Sequence, residues 1–155
     1  MRYLYVFIIS MLPVVELRGA IPVGYAFGFP LIPNYLVSIA GNLLPVPFIL
    51  FLVPAIIRAM ANSKVTLFVK VADFLEKKVQ KNTEKITKYA VFGLFLFVAI
   101  PLPGTGAWTG SMVAAMLNMD KRKSFLSVFL GVLAAGVIVS FICYGAIEGL
   151  AWLVK

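Results

Sequence analysis

The chain has 155 residues, of which 62% are hydrophobic and only 13% charged, and its mean hydropathy is +1.01. A soluble domain is nearer about 45–50% apolar and a quarter charged, so the composition excludes an ordinary water-soluble globule and points to an all-α integral membrane protein. The net charge is +8, histidine is absent and Cys143 is the lone cysteine, in an apolar run; this excludes His- and Cys-based metal sites, a disulfide framework and His-dependent catalysis, and no cofactor is expected.

In chain order, the first apolar stretch is broken. Arg2 followed by Tyr3–Val15 has the charge order of a signal peptide, but Glu16-Leu17-Arg18-Gly19-Ala20 follows without a small-x-small cleavage site, so the segment is expected to be retained. Residues 3–29 read as two short apolar arms interrupted by Glu16–Pro22, and they stop at the Pro30–Pro33 turn. Residues 34–60 form one long span, long enough to cross a hydrocarbon core of about 30 Å, bent if anywhere at Pro45, Pro47 and Pro54.

Residues 62–88 are polar and basic. Val65, Phe68, Ala72, Leu75, Val79, Asn82 and Ile86 alternate steps of three and four among Lys and Glu, the mark of an amphipathic helix. Such a helix is expected on the cytoplasmic headgroups, with its lysines toward anionic lipid, or else in a helix–helix contact whose register Asn82 sets. A second broken stretch, 89–119, is interrupted by "PLPGTGAWTG" at 101–110, and 124–154 is a last uninterrupted span.

The chain therefore repeats a broken segment, a turn and a full span. Eight of its fourteen basic residues lie between Arg58 and Lys88, and three more form Lys121–Arg122–Lys123. This clustering in loops between apolar spans is the positive-inside pattern rather than a nucleic-acid surface. Both flanks of 89–119 are basic, which places them on one side and makes 89–119 a re-entrant hairpin. Traced backwards, 3–29 becomes a hairpin entering from the opposite face. The expected fold is an inverted repeat of two re-entrant hairpins and two full transmembrane helices, with the cytoplasmic amphipathic helix between the halves.

Candidate site residues lie at the two interruptions. Glu16 is the one carboxylate in an apolar segment away from its ends, and an ionisable residue at membrane depth is a functional candidate by default. Positions i and i+2 do not face each other on a helix, so Glu16 and Arg18 meet only if the backbone unwinds near Pro13, Gly19 and Pro22. The pair either neutralises itself and holds the loop, or handles a substrate. In the second interruption Pro101 and Pro103 end the incoming arm. Gly104 and Gly106 let the backbone turn, and Thr105 and Thr109 add hydroxyls; such a turn favours an anion or close packing against the first tip. Small residues four apart in 124–154, such as Gly131, Ala135 and Gly136, read as helix packing.

Taken together, "PVVELRGAIPVG" and "AIPLPGTGAWTG" resemble the breakers of the putative small multidrug export family of prokaryotic integral membrane proteins, and the resemblance covers essentially the whole chain. It implies a multi-pass protein of the prokaryotic plasma membrane that exports small molecules. More distantly the chain is similar to the DedA/VTT superfamily, which implies translocation of lipid phosphates such as undecaprenyl phosphate; Thr105 and Thr109 stand in the region where that superfamily typically carries arginines. The expected function is a small secondary transporter, proton- or ion-coupled and homodimeric. Its site joins Glu16, Arg18, Gly19 and Pro22 to Pro101, Pro103, Gly104, Thr105, Gly106 and Thr109. A lipid translocase and a non-transporting membrane scaffold are the alternatives. An enzyme is not expected, because nothing near Ser10 or Thr105 would activate a nucleophile.

Overall fold

The computed structural model describes residues 1–61, 83–102 and 104–145, with side chains for 1–60, 89–102 and 104–145. Seven α-helices account for most of them: α1 (Arg2–Met11), α2 (Glu16–Ala26), α3 (Leu31–Leu43), α4 (Pro45–Ala61), α5 (Thr83–Ala99), α6 (Ala107–Met116) and α7 (Lys121–Ser140). A π-helical turn, Phe141–Gly145, extends α7. No strand occurs among the described residues.

Two stretches are long and apolar enough to cross a membrane, Leu31–Met60 and Lys121–Gly145. They match the expected spans, with two differences. The first span starts earlier and is jointed at Leu44, where Pro45 opens α4, a position that tolerates a missing N–H. The second starts at Lys121, capped by the Asp120 side chain, which accepts from the Lys123 N–H at 2.9 Å. Its expected continuation over 146–154 lies outside the described residues. So does most of the expected amphipathic helix, 62–82. α5 already begins at Thr83 and runs through the boundary expected at residue 89.

The first interruption is not where the prolines and glycine suggested. Glu16–Pro22 is helical, and the break falls at 12–15. Pro13 disfavours the helical region for Leu12, which turns extended at φ −72° and ψ 135° and ends α1. Pro22 sits inside α2 and removes only the single bond that its N–H would have made to the Arg18 carbonyl. The second break spans 100–106, so the last residues of "PLPGTGAWTG" belong to α6.

Helix α7 is the hub: α5 packs along it, and α2, α3 and α6 also touch it. α1 lies on α2 and α3, and α4 covers α6. Leu17, Ile21, Ile39, Val46, Leu94, Val98, Val128 and Val132 meet in the main core, while Val6, Ala20 and Phe29 form a smaller one under α1. The interior is also unusually polar, with Ser10, Asn34, Ser38, Asn42, Ser111, Ser124, Ser127 and Ser140 buried. Conversely, Leu4, Phe48, Phe51, Phe92, Val137 and Phe141 point outward. Small and hydroxylated residues inside with large apolar ones outside is the distribution of a bundle solvated by lipid.

Two crossings depend on glycine. A Cβ on Gly41 of α3 would run into the Phe7 carbonyl of α1, and a Cβ on Gly131 of α7 would lie 2.7 Å from Val98 Cβ and 3.0 Å from the Phe95 carbonyl of α5. Gly131→Ala is expected to lower stability in detergent by about 1–3 kcal/mol, through overpacking against backbone that cannot yield. Gly93→Ala, on the same helix pair but with nothing within 4 Å, is expected to be neutral or mildly stabilising. Equal thermal midpoints for the two variants would contradict this account.

A second set of bonds ties α2 and the start of α3 to the π-helical turn that extends α7. The Asn34 amide donates to the Ile21 carbonyl at 2.8 Å and to the Tyr144 hydroxyl at 2.9 Å, and that hydroxyl donates to the Phe29 carbonyl at 2.8 Å. Gly24 leaves the space that the Asn34 side chain fills.

Candidate functional site

A helix end leaves backbone donors or acceptors without intrahelical partners, and in hydrocarbon no water replaces them. The two breaks therefore present four such ends inside the bundle. The C-terminal ends of α1 and α5 expose carbonyls, and the N-terminal ends of α2 and α6 expose N–H groups.

Each break is closed largely by the other. Glu16 opens α2 at a φ of 51°, uncommon for a residue with a side chain. Its carboxylate is only 4% exposed and crosses to the start of α6, where Oε1 accepts from the Trp108 N–H at 3.1 Å. A negative group there complements the positive end of the α6 dipole. Gly106 precedes α6 at a φ of 143°, and a Cβ at that position would overlap the Glu16 carboxylate.

Arg18 does the opposite job at the negative end of α5. Its guanidinium donates to the Leu102 carbonyl, to the Ile100 carbonyl at 3.3 Å and to Thr105 Oγ1 at 2.8 Å. The Thr105 hydroxyl lies 2.9 Å from both of those carbonyls and can give its one proton to either. In return, the Trp108 indole N–H donates to the Met11 carbonyl, the last of α1, at 3.0 Å. Glu16 and Arg18 thus spend their hydrogen bonds on the second break and none on each other. Glu16 serves the N-terminal end of α6, and Arg18 serves carbonyls of the break that follows α5.

Between the tips lies a cavity of about 420 Å³. Of the residues expected at a site, Glu16, Arg18, Pro101, Gly104, Thr105 and Thr109 line it. Gly106 lies against the Glu16 carboxylate, whereas Gly19 and Pro22 are held inside α2 and are not on the wall. Pro103 lies outside the described residues. The first break also contributes Pro13, Val14 and Val15, and Leu102 closes the opposite wall; none of these was expected from sequence. Nor was Trp108, although a large amphipathic side chain among small residues, needing a partner for its N–H, was the signal that could have found it. Among the described residues no three His, Cys, Asp or Glu side chains converge on a possible metal position.

No curated protein and no solved structure matches the chain. The profile of the family described as "Putative small multi-drug export protein" matches residues 16–138, from the glutamate that opens α2 to the last turn of α7. Both candidate spans, the second break and the charged residues that meet it fall largely or wholly inside that stretch, and the chain belongs to this family of small membrane proteins.

Proposed function

We propose that the chain is a small secondary transporter that exports small molecules, coupled to protons or another ion, with its site in the cavity between the two breaks. The observation that carries this reading is the pairing of a buried carboxylate and a guanidinium with two interrupted helices around one cavity. Interrupted helices meeting at a site are the recurrent device of secondary transporters. Glu16 is the proton carrier in this reading. Protonation cancels the charge that holds the α6 N-terminus, so proton exchange and separation of the two tips become one event. Arg18, Thr105 and Thr109 supply the polar wall that a substrate meets.

The two breaks belong to re-entrant hairpins related as repeats. α1, with ten residues, spans about 15 Å, half of a hydrocarbon core of about 30 Å, and α2 folds back on it. The ends of α1 and α5, Met11 and Ala99, are 88 residues apart. Beyond the breaks the spacing becomes 90: α2 and α6 end at Ala26 and Met116, and α3 and α7 start at Leu31 and Lys121. Gly28 and Asn118, both at positive φ, follow the inner arms, and Gly41 and Gly131 make the corresponding crossings. Within that register Arg18 and Trp108 occupy equivalent places, and each donates to carbonyls at the end of the other half's outer arm. The basic flanks at Lys88 and Lys121–Lys123 support entry of the second hairpin from the cytoplasmic side of a prokaryotic plasma membrane. Two long helices and two hairpins give little wall for an enclosed path, which favours a homodimer.

A translocase of lipid phosphates is less well supported, because Arg18 already directs its Nη donors at protein oxygens. The test is proton-gradient-driven efflux of ethidium, a cationic probe, from liposomes that contain the purified protein. Wild type is expected to move the dye in a pH-dependent manner, and Glu16→Gln to abolish that movement while Glu16→Asp keeps part of it. Wild-type flux in Glu16→Gln would remove the coupling role. Full flux in a double Glu16→Gln, Arg18→Met variant would move the site away from these two residues, and no flux from folded wild type would leave a scaffold.

A further inference from the structure

The first turn of α7 carries Lys121, Arg122 and Lys123, all exposed. On one side of it, α4 and α7 form an apolar groove of about 520 Å³ walled by Pro47, Phe51 and Phe125, with Lys121 and Arg122 at its rim. On the other, α5 and α7 form a groove of about 440 Å³ walled by Phe92, Phe95 and Leu130, with Lys123 at its rim. Leu126 lines both and is the ridge between them. The Lys121 ammonium sits 4.1 Å from the centre of the Phe51 ring, a cation–π contact that holds the charge over the apolar wall rather than out in water.

We propose that this end of α7 is a binding site for an anionic phospholipid, with the phosphate among Lys121, Arg122 and Lys123 and the acyl chains in the two flanking grooves. Charge complementarity selects the occupant. The helix N-terminus itself is already occupied by the Asp120 carboxylate, so the attraction comes from the three side chains and not from backbone N–H groups. A second copy of the chain meeting this face in a two-fold contact would oppose the same three cations. The segment 62–82 is itself basic, with Lys64, Lys70, Lys77, Lys78 and Lys81 against Asp73 and Glu76, and is repelled in the same way. A soluble anion would satisfy the cations and leave the apolar walls unused. The site also lies at a helix end, because α7 and its extension, Lys121–Gly145, begin at these cations and are long enough to span a hydrocarbon core of about 30 Å.

The test is native mass spectrometry of the full-length protein in detergent, with equal concentrations of dioleoyl phosphatidylglycerol and dioleoyl phosphatidylcholine. Wild type is expected to retain the anionic lipid about tenfold over the zwitterionic one, and a Lys121→Gln, Arg122→Gln, Lys123→Gln variant to retain the two nearly equally. A control with Lys77, Lys78 and Lys81 changed to Gln removes the same charge elsewhere and is expected to keep the preference. Equal losses in the two triple variants would reduce the effect to net charge and overturn the site. Phe51→Ala is expected to weaken retention of both lipids, and glycerophosphoglycerol, the headgroup without chains, to compete poorly. Effective competition by it would overturn the role of the grooves, and a wild type that retains neither lipid would overturn the site. Circular dichroism of each variant distinguishes lost binding from lost helix.

Discussion

Gly106→Ala is expected to cost about 3–5 kcal/mol and to abolish transport. Two penalties coincide at this position. The backbone φ of 143° lies where side chains are strained by about 1–3 kcal/mol. The new Cβ would also occupy the space of the Glu16 carboxylate, whose charge-assisted bond to the Trp108 N–H is worth roughly 1.5–3 kcal/mol. Displacing that carboxylate leaves a buried charge without a donor and the α6 N-terminus without its counter-charge. Gly104→Ala is the matched control: φ is 81° and nothing lies within 4 Å, so the backbone penalty stands alone at about 1 kcal/mol. Thermal or denaturant unfolding in micelles reads both values, and equal losses would show that Gly106 is needed only for its dihedral angle.

Arg18→Met carries the second large effect, a loss of about 2–4 kcal/mol with the apolar stem retained. The change removes the guanidinium donors to the Ile100 and Leu102 carbonyls and leaves Thr105, with one proton, to serve both. Arg18→Lys is expected to recover less than half of that loss, because a single ammonium cannot reproduce the fork that reaches two carbonyls and a hydroxyl. If stability fell little in Arg18→Met while flux disappeared, Arg18 would serve the substrate rather than the break. If both fell together and both returned in part with Lys, it would serve both.

Hydropathy located the long helices within a few residues, because length and apolarity are local properties of the chain. The prolines marked both interruptions, yet the first one begins at Leu12 rather than Glu16. Pro13 acts on the residue before it, whereas Pro22 is absorbed by a helix whose other bonds remain intact. The helical spacing rule keeps Glu16 and Arg18 apart only while the backbone stays helical; unwinding near Pro13, Gly19 and Pro22 was expected to let them meet, and Glu16–Pro22 is helical instead. Their actual partners lie 82 to 92 residues away and follow from how the two breaks dock, which no local pattern encodes. The Asn34–Tyr144 link was hidden for the same reason: each residue alone reads as a helix-end polar group or an interfacial aromatic.

The mutual closure of the two breaks also bears on how the protein is made. Glu16 and the amide that receives it are separated by 92 residues of chain. At a synthesis rate of about 5–20 residues per second, the first break waits roughly 5–20 seconds for its counterpart. Over that interval a carboxylate, a guanidinium and the open end of α1 have none of their final partners. Closure of the first break therefore waits on the second, and the docking of α6 against α2 is the step that completes both.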